Sequence, residues 1–178
     1  AGTLATNSVD SAELIDGAID ASHLASGVGG KVLQVVKTQT GTLATGTTVI
    51  PHDNTIPQIT EGNEYMSLAI TPTSASSVLH IQSLWMGAST STNYIITGLF
   101  VGTTANALAS TISIVAAANY PTTNAIDHHI VAGSTSALTF RIRTGNKSAG
   151  TTSFNGINGT AYFGGTMASS ITITEYEA

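Results

Sequence analysis

The chain has 178 residues, 42% of them hydrophobic and only 8% charged, with five Lys or Arg against ten Asp or Glu and a formal net charge of −5. That apolar share supports a packed core, while so few basic residues exclude the clustered positive surface that nucleic-acid binding requires. There is no cysteine, hence no disulfide framework and no thiolate metal site. No apolar run approaches the ~20 residues of a membrane-spanning helix. The start of the chain also lacks the basic and then apolar pattern of a secretory leader. A globular chain is ordinarily roughly 25% charged. Here Thr, Ser, Asn and Gly must form the surface, and an extensive subunit interface is one way to cover a surface so poor in charge.

Residues 1–30 differ from the rest. Val9-Asp10-Ser11-Ala12-Glu13-Leu14-Ile15-Asp16-Gly17 aligns with Ile19-Asp20-Ala21-Ser22-His23-Leu24-Ala25-Ser26-Gly27 at a spacing of ten residues. Asp10 and Asp20 suit N-caps of short helical turns, and Gly17 and Gly27 suit left-handed stops. So short a unit cannot bury its own Val, Ile and Leu, and such repeats gain a core by stacking or winding against other copies. This predicts an N-terminal arm, residues 1–30, in which Val9, Leu14, Ile19 and Leu24 face the threefold axis of a trimeric shaft. A solvated linker with two weak helical turns is the plainer alternative. Gly27-Val28-Gly29-Gly30 then hinges into a second domain, residues 31–178.

From Lys31 onward the patterning is β. Leu138-Thr139-Phe140-Arg141-Ile142-Arg143 alternates apolar and polar, as does Ser170-Ile171-Thr172-Ile173-Thr174. Met66, Leu68 and Ile70 share a face and end at Thr71-Pro72, where proline stops a ladder. Residues 32–36, 78–86 and 95–101 are apolar on both faces and read as central strands, or as strands with one face in a core and the other against a neighbouring subunit. Further strands are expected over 43–50, 108–116, 126–131 and 160–163. About ten short strands separated by Gly, Pro, Asn and Ser clusters predict an all-β antiparallel sandwich or jelly roll. Trp85, inside an apolar strand, is assigned to the core.

Gly29-Gly30-Lys31-Val32-Leu33-Gln34-Val35-Val36, following the short repeats, resembles the C-terminal parts of tailed-bacteriophage tail fibre proteins, which pass from a repetitive stalk into such a strand. Ile70-Thr71-Pro72-Thr73-Ser74-Ala75-Ser76-Ser77-Val78-Leu79-His80-Ile81 and the closing Ser170-Ile171-Thr172-Ile173-Thr174-Glu175-Tyr176-Glu177 look like the same group. The resemblance implies a homotrimeric fibre tip with a compact β-head on a virion. Its partners would be itself, other virion proteins and a host-surface glycan or protein. It supplies no receptor-contact residue. A trimeric capsid decoration protein shares this physics, and a C1q-like binding module is a more distant alternative.

Chemistry-bearing motifs are sparse. There is no Gly-x-Ser-x-Gly elbow, phosphate-binding glycine loop or zinc-type spacing, so neither an enzyme nor a cofactor is assigned. Asp53, Glu61 and Glu64 fall in a turn-rich region and read as solvated rather than as a glycosidase pair. In Asp127-His128-His129 the histidines point to opposite strand faces. His128 shares the face of Ile126 and Ile130, as a hydrogen-bonded core or interface histidine or, in a trimer, as one of three copies around an axial ion; no metal is assigned. Arg141 and Arg143 are expected to pair with Glu175 or Glu177, or to be solvated. Receptor contact is expected in loops, at Tyr120 in residues 119–122 and at Phe154, Asn155, Asn158 and Tyr162 in residues 145–165. The sequons at Asn146 and Asn158 read as chance products of polar loops.

Overall fold

A computed structural model describes residues 31–178, so the repeat arm with Val9, Leu14, Ile19 and Leu24 lies outside the described residues. Twelve strands follow in chain order. They are β1 (Val32–Thr40), β2 (Ala44–Gly46), β3 (Asn63–Ile70), β4 (Val78–Ser89), β5 (Asn93–Val101) and β6 (Ala109–Val115). After these come β7 (Pro121–Val131), β8 (Leu138–Asn146), β9 (Thr152–Phe154), β10 (Gly156–Ile157), β11 (Thr160–Ala161) and β12 (Ser169–Tyr176).

All pairings of these strands are antiparallel. The first sheet runs β1–β12–β4–β7, with β9 and then β2 continuing beside the far end of β4; the second runs β3–β8–β5–β6. Taking the eight long strands alone, the orders become first-eighth-third-sixth and second-seventh-fourth-fifth. That is the strand order of a jelly roll. Leu79, Ile81, Trp85, Ile126, Ile171 and Ile173 of the first sheet pack on Met66, Ile70, Ile95, Leu99, Phe140 and Ile142 of the second. Between them, buried Asn124 of β7 donates to the Ile95 carbonyl at 3.2 Å and to Thr97 Oγ1 at 2.9 Å. These two hydrogen bonds tie one sheet to the other.

Alternation in the sequence placed most of these strands, and β3 ends at Ile70 just before Pro72 as expected. Two strands are markedly shorter than expected. The stretch 43–50 pairs only over Ala44–Gly46, because Thr48 N donates to Asn63 Oδ1 and Gly62 N to the Val49 carbonyl, turning the chain across the second sheet. There Ile50 is fully buried. In the stretch 160–163 only Thr160–Ala161 pairs; Phe163 opens a 3-10 turn. β7 is longer than expected, starting at Pro121, the first-residue position that proline tolerates in a sheet.

Candidate functional site

Two regions hold the expected receptor-contact residues, the turn before β7 and the connection between β8 and β12; the outer face of the first sheet is a third surface of note.

Tyr120 follows Asn119, whose left-handed backbone (φ 64°) turns the chain into β7 while its N–H donates to the Ser89 carbonyl at 2.6 Å. Tyr120 is 63% exposed. The connection from β8 to β12 runs first as β9 along the end of β4, then leaves the sheet at Asn155 and re-enters at Ser169. Its base is clasped. Ser169 Oγ donates to Asn155 Oδ1 at 2.7 Å and accepts from Met86 N at 2.8 Å, and Asn155 Nδ2 donates to the carbonyls of Thr40 and Thr42.

Two of the receptor-contact expectations are therefore corrected. Asn155 is fully buried and pins this base in a left-handed conformation (φ 54°), which asparagine tolerates better than most residues. Phe154 is buried in the core, its ring 5.0 Å from that of Tyr65 and 6.4 Å from that of Trp85. Reading residues 145–165 as one loop missed β9, whose alternation is too short to register. The tip of the excursion does present Asn158 and Tyr162 to solvent. Beside Tyr162 lies Phe163, 78% exposed at φ 53°, the two rings 6.2 Å apart. A left-handed, exposed phenylalanine is an outlier worth ~1–3 kcal/mol of strain. Phe163 is absent from the sequence-level candidates; its signal is an aromatic residue directly before Gly164-Gly165.

The outer face of the first sheet is a ladder of cross-strand rows: Val32, Tyr176, Val78 and Val131; Val35, Thr174, His80 and His129; Lys37, Thr172, Gln82 and Asp127; Gln39, Ser170, Leu84 and Ala125. Only Lys37 and Asp127 in these rows carry a formal charge. Val32, Val35 and Val131 are at least half exposed. On β6, an edge strand of the second sheet, Ile112 and Ile114 are exposed too. His128 points with Ile126 and Ile130 to the opposite side from this face, half-buried.

Among the described residues, the charged groups that could carry acid–base chemistry are mostly engaged in holding the fold. Asp53 Oδ1 accepts from Thr55 N and Oγ1, which lowers its pKa. Glu61 accepts from Gln58 N. Arg141 and Arg143 do not reach Glu175 or Glu177. Both bind Glu64, at 2.8 and 3.4 Å, because β8 pairs with β3 rather than with β12. Arg143 also donates to the carbonyls of Glu61 and Gly62, and Arg141 to that of Gly102. Glu175 instead turns inward on β12 and is fully buried. Its carboxylate accepts from Gln34 Nε2 at 2.6 Å and from Thr73 N and Oγ1 at 2.7 Å each. Burial opposes its ionisation, yet the bonds from Gln34 and Thr73, with the neighbouring Ser77 hydroxyl, outweigh that and hold the pKa at about 2.

No protein-family model matches the chain, and no curated protein matches it. Solved structures similar to it include the infectious bursal disease virus Gx strain (11% identity, TM-score 0.36, 81% of this chain and 36% of that one). Another is the VP2 subviral particle of infectious bursal disease virus (8% identity, TM-score 0.34, 82% and 38%). A third is the enzymatically active domain of tailspike protein 4 of bacteriophage CBA120 (15% identity, TM-score 0.30, 72% and 20%). The chain thus spans well under half the length of each.

Proposed function

We propose that this chain is a structural component of a bacteriophage virion, the head of a homotrimeric tail-fibre tip that binds a host-surface glycan or protein. The observation that carries the reading is the outer face of the first sheet. It is broad and built on paired strands, with almost no charge and with half-exposed valines along it. A second copy of the chain is the natural cover for such a face, since large exposed apolar areas mark association sites. The ten-residue repeat of the arm and the stretches that resemble tail fibre proteins support the same reading. Receptor contact falls to Tyr162 and Phe163, with Asn158 beside them and Tyr120 on a separate turn. Aromatic faces flanked by amide and hydroxyl groups suit sugar recognition by stacking and hydrogen bonding. We read the chain as non-enzymatic, because among the described residues Asp53, Glu61, Glu64 and Glu175 serve structural hydrogen bonds and ion pairs.

Imaging virions decorated with antibody to this chain tests the location. Label at the tail tip is expected; label spread over the icosahedral shell makes it a capsid decoration protein and overturns the fibre reading. Particles carrying Tyr162→Ala with Phe163→Ala should adsorb to host cells at least tenfold more slowly, with normal particle yield. Unchanged adsorption removes the tip from the receptor site.

A further inference from the structure

Outside the regions assigned to receptor contact, the outer face of the first sheet gathers two histidines and one carboxylate. Asp127 and His129 alternate on β7 and so project from the same side, while His80 of β4 is the direct cross-strand partner of His129. Directly opposed side chains start from Cβ atoms about 5 Å apart. The pairing register therefore brings the three groups together without any loop. His80 Nε2 lies 2.9 Å from Asp127 Oδ1, and His129 Nδ1 lies 4.0 Å from the same oxygen. The three donor atoms are all within 4.8 Å of one another.

We propose that His80, Asp127 and His129 form a surface site for a divalent transition metal, with zinc the ion that fits best. Ligands about 2.0–2.1 Å from a tetrahedral ion lie roughly 3.3 Å from one another. The observed separations, from 2.9 to at most 4.8 Å, bracket that value. Side-chain rotations close the difference. The side chains of Asp127 and His129 are 61% and 57% exposed, so they are free to make them. The two imidazole rings now stack at 4.0 Å with a 7° interplanar angle, and binding requires one ring to swing out of that stack. Imidazole nitrogen with carboxylate oxygen is a donor set for zinc and its neighbours rather than for calcium or magnesium, which prefer oxygen alone.

An outer group is already in place. Gln82 Nε2 donates to Asp127 Oδ2 at 3.1 Å, leaving Oδ1 turned toward the histidines. Such outer-shell bonds orient ligating carboxylates. The formal positive charge in the adjoining row, Lys37, stands on β1 with two strands between it and Asp127, about 14 Å away at the usual strand spacing. On binding, the proton on His80 Nε2 that Asp127 accepts must leave or move to Nδ1, so the ion takes the place of the His80–Asp127 hydrogen bond. Three protein ligands leave the fourth, outward position for water in the single chain, or for a donor of a second copy where one covers this face as proposed above.

Calorimetric titration of the full chain with zinc chloride in a non-chelating buffer at pH 7.5 tests the site. One ion per chain with micromolar affinity is expected, weakened at least tenfold by His129→Ala and by Asp127→Asn. Both replaced side chains are exposed, and the unfolding midpoint without metal should match the parent. Gln82→Ala should weaken binding severalfold, whereas His52→Ala and His128→Ala should leave it unchanged. No saturable binding up to millimolar zinc overturns the proposal and leaves a hydrogen-bonded His–Asp pair. So does binding insensitive to His129 and Asp127. One ion per three chains, lost in His128→Ala, would instead put the metal on a symmetry axis and equally overturn it.

Discussion

Adjacent residues of the β8–β12 connection have opposite roles. Phe154 and Asn155 are structural: one fills the core beside Tyr65 and Trp85, the other fastens β1, β4 and β12 at a single point. Phe154→Ala should destabilise the head by about 3–5 kcal/mol, the range for removing a buried aromatic side chain. Asn155→Ala should cost about 1–3 kcal/mol, since it strands buried partners and strains a left-handed backbone. Chemical denaturation of the two variants, beside Tyr162→Ala at within ~0.5 kcal/mol of the parent, checks the division; equal losses in all three would contradict it. Glu175 adds a pH signature. Its folded pKa of about 2 lies below its ordinary value of 4.5. Its contribution is therefore complete above pH 4.5 and is lost as pH falls from 4.5 toward 2. In Glu175→Gln the unfolding midpoint should be lower at pH 7 and should vary less than the parent's between pH 5 and 2.

Among the elements, β4 is the organising strand. β7 pairs along one edge for nearly its whole length, and β12 and β9 share the other. An edge shared by two strands requires the chain to leave and re-enter the sheet at one place, which is where Asn155 meets Ser169 and where the exposed excursion begins. Amide hydrogen exchange should follow this order, slowest along β4 and β12 and fastest in β6, β2 and residues 156–165, where backbone groups are paired on one side or not at all. Slower exchange in residues 156–165 than in β4 would contradict this account. The sequence reading marked β4 as central because residues 78–86 are apolar on both faces. The structure gives the physical reason: one face packs in the sandwich and the other belongs to the sparsely charged outer sheet. Alternation could not reveal β9, since three residues are fewer than two periods. Nor could it show that Arg141 and Arg143 bind Glu64, a pairing fixed by which strands are neighbours.

At the scale of the whole molecule, the expected assembly is a trimer covering the outer face of the first sheet. Native mass spectrometry at micromolar concentration should give three times the 18.1 kDa chain mass. Val131→Lys, which sets a charge among exposed valines without touching the core, should yield a folded monomer. Removing residues 1–30 should weaken the trimer without unfolding the head. A trimer indifferent to both changes would place the interface elsewhere.

The all-β class, the core alternation of β3, β8 and β12 and the burial of Trp85 were legible in the sequence. These are properties of periodicity and composition, which act within a few residues along the chain. Only the tertiary structure decided the jelly-roll order, the inward turn of Glu175, the burial of Phe154 and Asn155, and the meeting of His80 with Asp127 and His129. Each depends on which strands lie side by side and in what register. Residues 47 positions apart, as His80 and Asp127 are, become neighbours only once the whole sandwich has closed.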